Sequence, residues 1–446
     1  MTLSTNEAFQ SIVTDNKDSA SPETYGPIDT SDLASVTVDS IQVALLQGGP
    51  VTLIYGILIS SIVFGCIALT MAELASVYPT AGGQYHFVSV LAPEKVRRGM
   101  SYACGLLSIF AWIAIGASVG IIIAQQIMTL AIAVWGLLFN LFILKRALWT
   151  HDIGFTVTIV LFIVTFILTL VRSVPKAPSS FVWTTFINYT GWPDAICFIT
   201  GLSTSCYMYA GLDASMHMAE ECTTAARTVP KAIISPVMIG TVFIPVEVQM
   251  EGLHSTSLAF GLTVAGLFLG IFVIHAVIET TSRMTWSFAR DNGLFASDYL
   301  SQIHPRLQIP VRSLLSSWVL LAICGCIYVA STTAFDALIG SSVVLQMMTF
   351  IIPTAPLLYR RRSEEYLPSN RPFAVPKPIG YTANIIVCCF GVVTIIFFNF
   401  PAFLPATGSS MNYTCAILGI LLVLGLLNWF AHARRYYQGP IIEYST

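Results

Sequence analysis

The sequence contains few charged residues. Asp, Glu, Lys and Arg make up 10% of its 446 residues, hydrophobic residues make up 55%, and the mean hydropathy is +0.76. Soluble domains have about 25% charged residues, so the composition excludes a soluble domain. It predicts an all-α, polytopic membrane protein, because helices satisfy every backbone amide within the segment. The net charge of -2 gives no indication of a nucleic-acid partner.

The motifs of membrane-embedded enzymes are also missing. The seven histidines are dispersed, and no HExxH sequence occurs. The ten cysteines show no spacing typical of a metal site or a disulfide framework. We therefore expect no enzyme activity, no catalytic residue, no cofactor and no metal. A receptor usually has fewer spans and a folded outer domain, which leaves a carrier as the main expectation.

The first 35 residues lack the basic start and apolar core of a signal peptide. They are rich in Ser, Thr and acidic residues, which is typical of a disordered segment. We expect a disordered cytoplasmic-type tail over 1–35, a transmembrane carrier domain over 36–438 and a short C-terminal tail over 439–446.

Most of the remaining chain consists of hydrophobic runs with no Lys or Arg beyond Arg312, the first residue of one run, and each run is near the 20 or so residues that a bilayer-spanning helix needs. They lie at 51–72, 101–144 (two passes), 152–171, 194–218, 257–280, 312–331, 337–358, 379–400 and 411–432, with a shorter run at 232–246. The total is about eleven crossings. Clusters of basic residues then place the intervening loops in the cytoplasm, and the sequons at Asn188 and Asn412 outside.

One span carries a carboxylate away from its first turn and its last residues. Asp213 follows an apolar run, and a charge in a bilayer costs about 2.5–3.5 kcal/mol, which suggests a function. Gly211 is a candidate helix break, and secondary carriers bind substrate at such breaks. We predict a substrate site formed by Tyr209, Ala210, Gly211, Asp213 and His217. The carbonyls of 209–211 would accept an ammonium, and His217 would pair with Asp213 one turn earlier.

A structural role for the same residues stays open. Gly211 could permit close helix packing, while Asp213 could bond a neighbouring hydroxyl group. His217 could equally be a satisfied interior histidine.

Four charged residues near the cytoplasmic ends of spans are candidates for a gate or for coupling. Arg283 and Arg290 could pair with Asp291, or with Glu220 and Glu221, and so hold an inner gate shut. Alternatively the acidic residues are solvated, and the arginines only enforce the positive-inside topology.

Several blocks of the sequence resemble one family. The blocks are TGWPDA at 190–195, GLDASMHMAEE at 211–221, ARTVPKAI at 226–233, MAELASVYPTAGGQYHFVSVLAP at 71–93, SRMTWSFARDNGL at 282–294 and HPRLQIPV at 304–311. They are similar to fungal permeases in the amino acid/choline transporter branch of the amino acid–polyamine–organocation superfamily. The resemblance covers about residues 45 to 438.

The resemblance implies a five-plus-five inverted-repeat fold with two extra C-terminal helices. It also implies transport of amino acids, 4-aminobutyrate, choline or related amines, often with protons, through the plasma membrane or an internal membrane such as the vacuolar one. The amino acid and choline alternatives stay open, because both substrates need an ammonium site.

The chain departs from the family in three shortened places. The stretch 33–46 is too short for the family's first broken helix and contains Asp39, 101–144 is compressed for two spans, and TVFIPVEVQMEG stands where a long seventh span is usual. We therefore expect a truncated first helix, and an in-frame segment of about 20 codons or more upstream of Ser40 in the transcript. A transport-inactive permease or membrane scaffold is the alternative of another class.

Overall fold

A computed structural model of the chain describes residues 46–124, 138, 149–172, 179–222, 224–242, 256–330, 332–408 and 411–440. The predicted tail over 1–35, nearly all of the shortened stretch at 33–46, and the later part of 101–144 lie outside the described residues. The same is true of the last residues of the C-terminal tail.

The described residues form helices, and the bridge between Gln47 and Asn188 is the single β-type pairing among them. The helices are α1 (Gly49–Val77), α2 (Gln84–Leu91), α3 (Glu94–Ala124), α4 (Trp149–Arg172), α5 (Ser179–Thr184), α6 (Asp194–Tyr207), α7 (Ala214–His217), α8 (Ala225–Val242), α9 (Thr256–Arg290), α10 (Ser297–Leu300), α11 (Val311–Ala330), α12 (Thr332–Tyr359), α13 (Lys377–Phe397) and α14 (Thr414–Asn428).

The helices follow the hydrophobic runs of the sequence. Within the described part of the chain, five segments are long and apolar enough to cross a membrane: Gly49–Val77, Glu94–Val119, Ala337–Tyr359, Lys377–Phe397 and Thr414–Tyr436. Helix α8 begins at Ala225 and is described as far as Val242, so the described part of the short run predicted at 232–246 belongs to a helix that starts earlier in the chain.

The core lies where α1 contacts α6, α8, α12 and α13. Phe64 and Ile67 of α1 are fully buried there, together with Ile233 of α8 and Phe350 of α12. In contrast, only 11% of the apolar window that includes α14 is buried, and Leu422 and other large apolar side chains of α14 are exposed. An apolar helix of this kind is compatible with lipid around it.

The two predicted sequons lie in described loops and have structural roles. The Asn188 side-chain amide donates to the Trp192 carbonyl at 2.7 Å and to Asp194 at 2.8 Å. The Asn412 amide donates to the carbonyls of Phe398 and Phe400 at 2.8 and 3.1 Å. Glycosylation at either asparagine would therefore remove at least one of the two hydrogen bonds, because the modified amide keeps a single N–H group.

Candidate functional site

The span at 194–218 is broken at the predicted glycine. Helix α6 ends at Tyr207, residues 208–213 form turns, and α7 resumes at Ala214. Gly211 has φ +84°, in the left-handed region that glycine tolerates best. A Cβ atom at Gly211 would lie 3.1 Å from the Trp112 ring. The resumed helix is a single turn, which is shorter than the run in the sequence suggests.

Asp213 lies at the end of this break and is 2% exposed. Gln84 of α2 donates a hydrogen bond to one carboxylate oxygen, and Gln346 of α12 donates to the other at 3.0 Å. His217 approaches the first oxygen with its Nε2 at 3.3 Å. The protein itself thus surrounds the carboxylate with three polar side chains from three helices, which offsets the cost of burying it.

The second ring nitrogen of His217 determines how many protons this group holds. Nδ1 lies 2.9 Å from the Ala81 carbonyl oxygen, which can only accept, so Nδ1 carries a proton. A hydrogen bond between Nε2 and Asp213 forms only with one more proton, either on the imidazole or on the carboxyl group. In both arrangements the Asp213–His217 pair holds that shared proton and is electrically neutral.

The other two predicted residues lie at the same break. The Tyr209 hydroxyl bonds Ser61 at 2.6 Å, and its ring stacks on Phe64 at 4.9 Å, so this side chain packs against α1. The Tyr209 carbonyl accepts a bond from the Leu212 amide at 3.2 Å. Ala210 packs beside Trp112. The structure therefore brings all five predicted site residues together, with Tyr209 contributing packing through its side chain.

The four predicted gate residues form two ion pairs. Arg290 of α9 holds Glu220 through two bonds of 2.9 Å each. Arg283 lies about two turns earlier on the same face of α9. It donates to Glu221 through Nε and, at 2.9 Å, through Nη2. Of the two sets of partners that the sequence left open, the structure selects these two glutamates. The pairs connect the end of the broken span to α9.

The remaining acidic residues near this gate have other partners. Asp291 accepts a bond of 2.6 Å from the Tyr85 hydroxyl, while the nearest Arg290 nitrogen is 4.0 Å away. Glu279 lies 2.8 Å from Arg283 on the same helix. Burial opposes ionisation of Glu220, but the bonds and charge of Arg290 outweigh it and lower the pKa of this carboxyl group.

Ala81 connects the break to the gate. Its carbonyl oxygen bonds His217, and its N–H donates to Glu220 at 3.2 Å. Gly83, two residues later, has φ +53°, and its side-chain position faces the His217 ring at 3.3 Å. The turn between α1 and α2 is thus bonded to the broken span at both His217 and Glu220.

Sequence reasoning missed three residues of this site: Gln84, Gln346 and Trp112. The isolated amide of Gln346 in the apolar run SSVVLQMMTF has the same unfavourable position in a span as Asp213, so the same argument would have found it. Trp112 gives no such signal, because an aromatic residue in an apolar run is ordinary. The described residues contain no group of three or more His, Cys, Asp or Glu side chains that could hold a metal ion.

Comparison with known proteins identifies the family. A family model described as amino acid permease matches residues 30–250 and 248–423. A swainsonine transporter of Arthroderma benhamiae is 30% identical over 88% of this chain and 86% of its own length. A choline transporter of Saccharomyces cerevisiae is 30% identical over 87% of this chain and 77% of its own.

A solved manganese transporter of Eremococcus coleocola shares the fold, with a TM-score of 0.50 over 93% of this chain and 98% of that one, at 16% identity. The sequence match and the helical, multi-pass architecture agree. This chain belongs to the amino acid permease family of membrane transporters.

Proposed function

We propose that this permease carries small solutes with an amine group, either amino acids or related amines such as 4-aminobutyrate, and that the break around Gly211 faces the substrate. The observation that carries the proposal is the buried Asp213 at a break in a membrane span. A break leaves backbone groups available for a ligand within the membrane, and a buried carboxylate supplies charge complementary to an ammonium.

The proposed coupling ion is the proton. The Asp213–His217 pair is neutral with its shared proton and has a net charge of -1 without it, while the bonds to Gln84, Gln346 and Ala81 can remain. A site that changes its charge by one unit at a fixed position can link the binding of a cationic group to the binding of a proton.

Choline is the second candidate, and Trp112 is the observation that favours it. Its ring lies over Gly211 and meets the His217 ring edge-on, with centroids 6.1 Å apart. Aromatic faces attract quaternary ammonium groups, which cannot donate hydrogen bonds. A fungal relative at 30% identity is named a choline transporter.

The two ion pairs support a closure of the carrier on its cytoplasmic side. The pairs Glu220–Arg290 and Glu221–Arg283 lie beside the break, at the side on which the basic loops place the cytoplasm. Opening toward the cytoplasm would require separating them. We propose the plasma membrane as the location, with the vacuolar membrane as the alternative.

The test is radiolabelled uptake in yeast cells that lack their own permeases. The full chain, tagged to report its location, is supplied with 4-aminobutyrate, choline and a set of amino acids, with and without a protonophore. We expect saturable uptake of one amine class that the protonophore reduces. If the tagged chain reaches the plasma membrane and no amine accumulates above the empty-vector control, the proposal is wrong and the scaffold alternative gains support.

A further inference from the structure

A second polar region lies away from the broken span, on the loop between α12 and α13. This loop and the start of α13 form an open cavity of about 380 Å³. Three basic side chains line it, Arg362, Arg371 and Lys377, together with Ser369 and Glu364. The basic residues of this loop place it on the cytoplasmic side.

The buried charges beneath this cavity do not balance. Glu73 of α1 is 1% exposed and accepts bonds from both arginines: Arg362, and Arg371 at 2.5 and 3.0 Å. The Val375 amide also donates to it at 3.2 Å. Two guanidinium groups thus share one carboxylate, which leaves one positive charge in excess.

Arg362 is the least satisfied member of the cluster. Its side chain is 2% exposed, and its buried Nε has no hydrogen-bond partner among the described residues. The guanidinium lies against Gly380, where a Cβ atom would come within 2.4 Å of its Cζ. A buried donor without an acceptor is unfavourable, and an anion in the cavity would add the missing negative charge nearby.

The start of α13 adds to the positive potential. Lys377 is the first residue of this 21-residue helix, and its first turn contains no acidic residue. The helix dipole favours an anion at this start, while Pro378, the second residue of the helix, has no N–H group to donate. The partner of Lys377 is Glu364 at 3.4 Å, with both side chains about two-thirds exposed, so this ion pair is weak.

The cavity also lies close to lipid. Helix α13 is apolar enough to span a membrane and only 39% of its apolar window is buried. Ile379 and Ile385, in its first turns, are 52% and 49% exposed. A helix with lipid along its exposed face places its cytoplasmic start at the level of the lipid headgroups.

We propose that this cavity binds a phosphate group at the cytoplasmic surface, supplied either by the phosphorylated headgroup of an anionic lipid or by free inorganic phosphate. Lys377 contacts the phosphate oxygens, while Arg362, Arg371 and the start of α13 contribute their charge, because the Arg371 nitrogens already donate to Glu73 and to the Leu367 and Pro368 carbonyls. Planar guanidinium groups and lysine ammonium groups both bind phosphate well. The site is separate from the break at Gly211, so it does not depend on which solute is transported.

The test measures binding to the purified full chain in phosphatidylcholine nanodiscs by microscale thermophoresis. Two probes are titrated separately: a water-soluble short-chain phosphatidylinositol 4-phosphate, and inorganic phosphate. We expect saturable binding of the lipid probe, weakened about fivefold by Lys377→Gln, since a basic residue near a membrane surface contributes about that factor. Ser369→Glu, which adds a negative charge at the rim, should weaken binding at least as much.

The matched control is Lys231→Gln, which removes an exposed lysine of α8 outside the cavity. It should leave binding unchanged. If inorganic phosphate competes with the lipid probe at millimolar concentration, the site takes phosphate from either source; if it does not, the lipid headgroup is the ligand. The proposal is overturned if neither probe binds, if Lys377→Gln and Ser369→Glu have no effect, or if Lys231→Gln weakens binding equally.

Discussion

At the scale of single residues, we propose that a proton shared by Asp213 and His217 sets the charge of the broken span. Asp213 accepts bonds from Gln84 and Gln346, and His217 is fixed by the Ala81 carbonyl. The carboxylate is therefore not an isolated charge waiting for a substrate, as the sequence alone suggested. Its bonds are already made, and the variable quantity is the proton between it and His217.

Asp213→Asn tests this proton directly. The Gln84 carbonyl oxygen is buried without a partner among the described residues, so the Gln84 amide can rotate and accept from the new side chain. We therefore expect normal expression and a thermal unfolding midpoint near that of the parent chain, with uptake reduced at least tenfold or independent of pH between 5 and 7. Uptake is measured at each pH in permease-deficient yeast. Normal uptake by the Asn variant at every pH would make Asp213 a structural residue.

The pair between Glu220 and Arg290 can be tested by exchanging its charges. Glu220→Arg and Arg290→Glu should each abolish most uptake, because like charges would face each other at 2.9 Å in the gate. The double exchange should recover part of it, since the attraction is restored while the bond from the Ala81 amide to Glu220 is lost. Arg97→Glu, which disrupts an exposed pair with Glu94, is the control and should leave uptake unchanged. A double variant no better than either single one would argue against a functional pair.

The pH dependence of this gate follows from the lowered pKa of Glu220. A carboxyl group with a lowered pKa in the folded chain stabilises the fold above its ordinary pKa, near 4.3, and loses that contribution only as the pH falls through the lower value. The pair with Arg290 therefore stays ionised between pH 5 and 8. The parent chain and the charge-exchanged variant should show pH profiles of the same shape in that range.

At the scale of elements, the break between α6 and α7 depends on one backbone conformation. Gly211→Ala would place a side chain at φ +84° and against Trp112, at a cost of about 1–2 kcal/mol from the backbone alone. We expect a lower thermal unfolding midpoint and reduced uptake. Gly419→Ala in α14 is the control, because a Cβ atom there meets nothing within 4 Å and alanine favours a helix. Equal midpoints for the two variants would contradict the role assigned to Gly211.

The elements around the gate are connected through one short turn. Ala81 bonds both His217 and Glu220, so the turn between α1 and α2 cannot separate from the broken span without breaking both bonds. The Asp213–His217 pair and the Glu220–Arg290 pair are therefore both bonded to Ala81.

At the scale of the whole molecule, we predict that the basic loops face the cytoplasm. Single cysteines at Ser369 and Tyr189, both exposed, should react from opposite sides of the membrane, Ser369 only from the cytoplasm. The parent for labelling replaces the exposed native cysteines Cys326, Cys389 and Cys415 by serine. Labelling of both positions from the same side would overturn the topology derived from the basic loops.

The sequence by itself determined the class of the protein and the place of the break. Composition excluded a soluble chain, because 10% charged residues cannot cover a soluble surface. The break was predictable because Gly211 and Asp213 occur together in an apolar span, and each is unfavourable in a continuous helix there. The family was recognisable because several blocks in loops and near helix ends, such as GLDASMHMAEE at 211–221, resemble it.

Only the tertiary structure decided the partners. Gln84, Gln346 and Ala81 are separated from Asp213 and His217 by more than a hundred residues, and no local pattern relates them. Likewise, local sequence allowed Arg290 to pair with the adjacent Asp291, but packing of α9 against the broken span placed Glu220 opposite it instead. Spans and breaks follow from the free energy of short segments in lipid, whereas the choice of a charge's partner depends on which helices pack together.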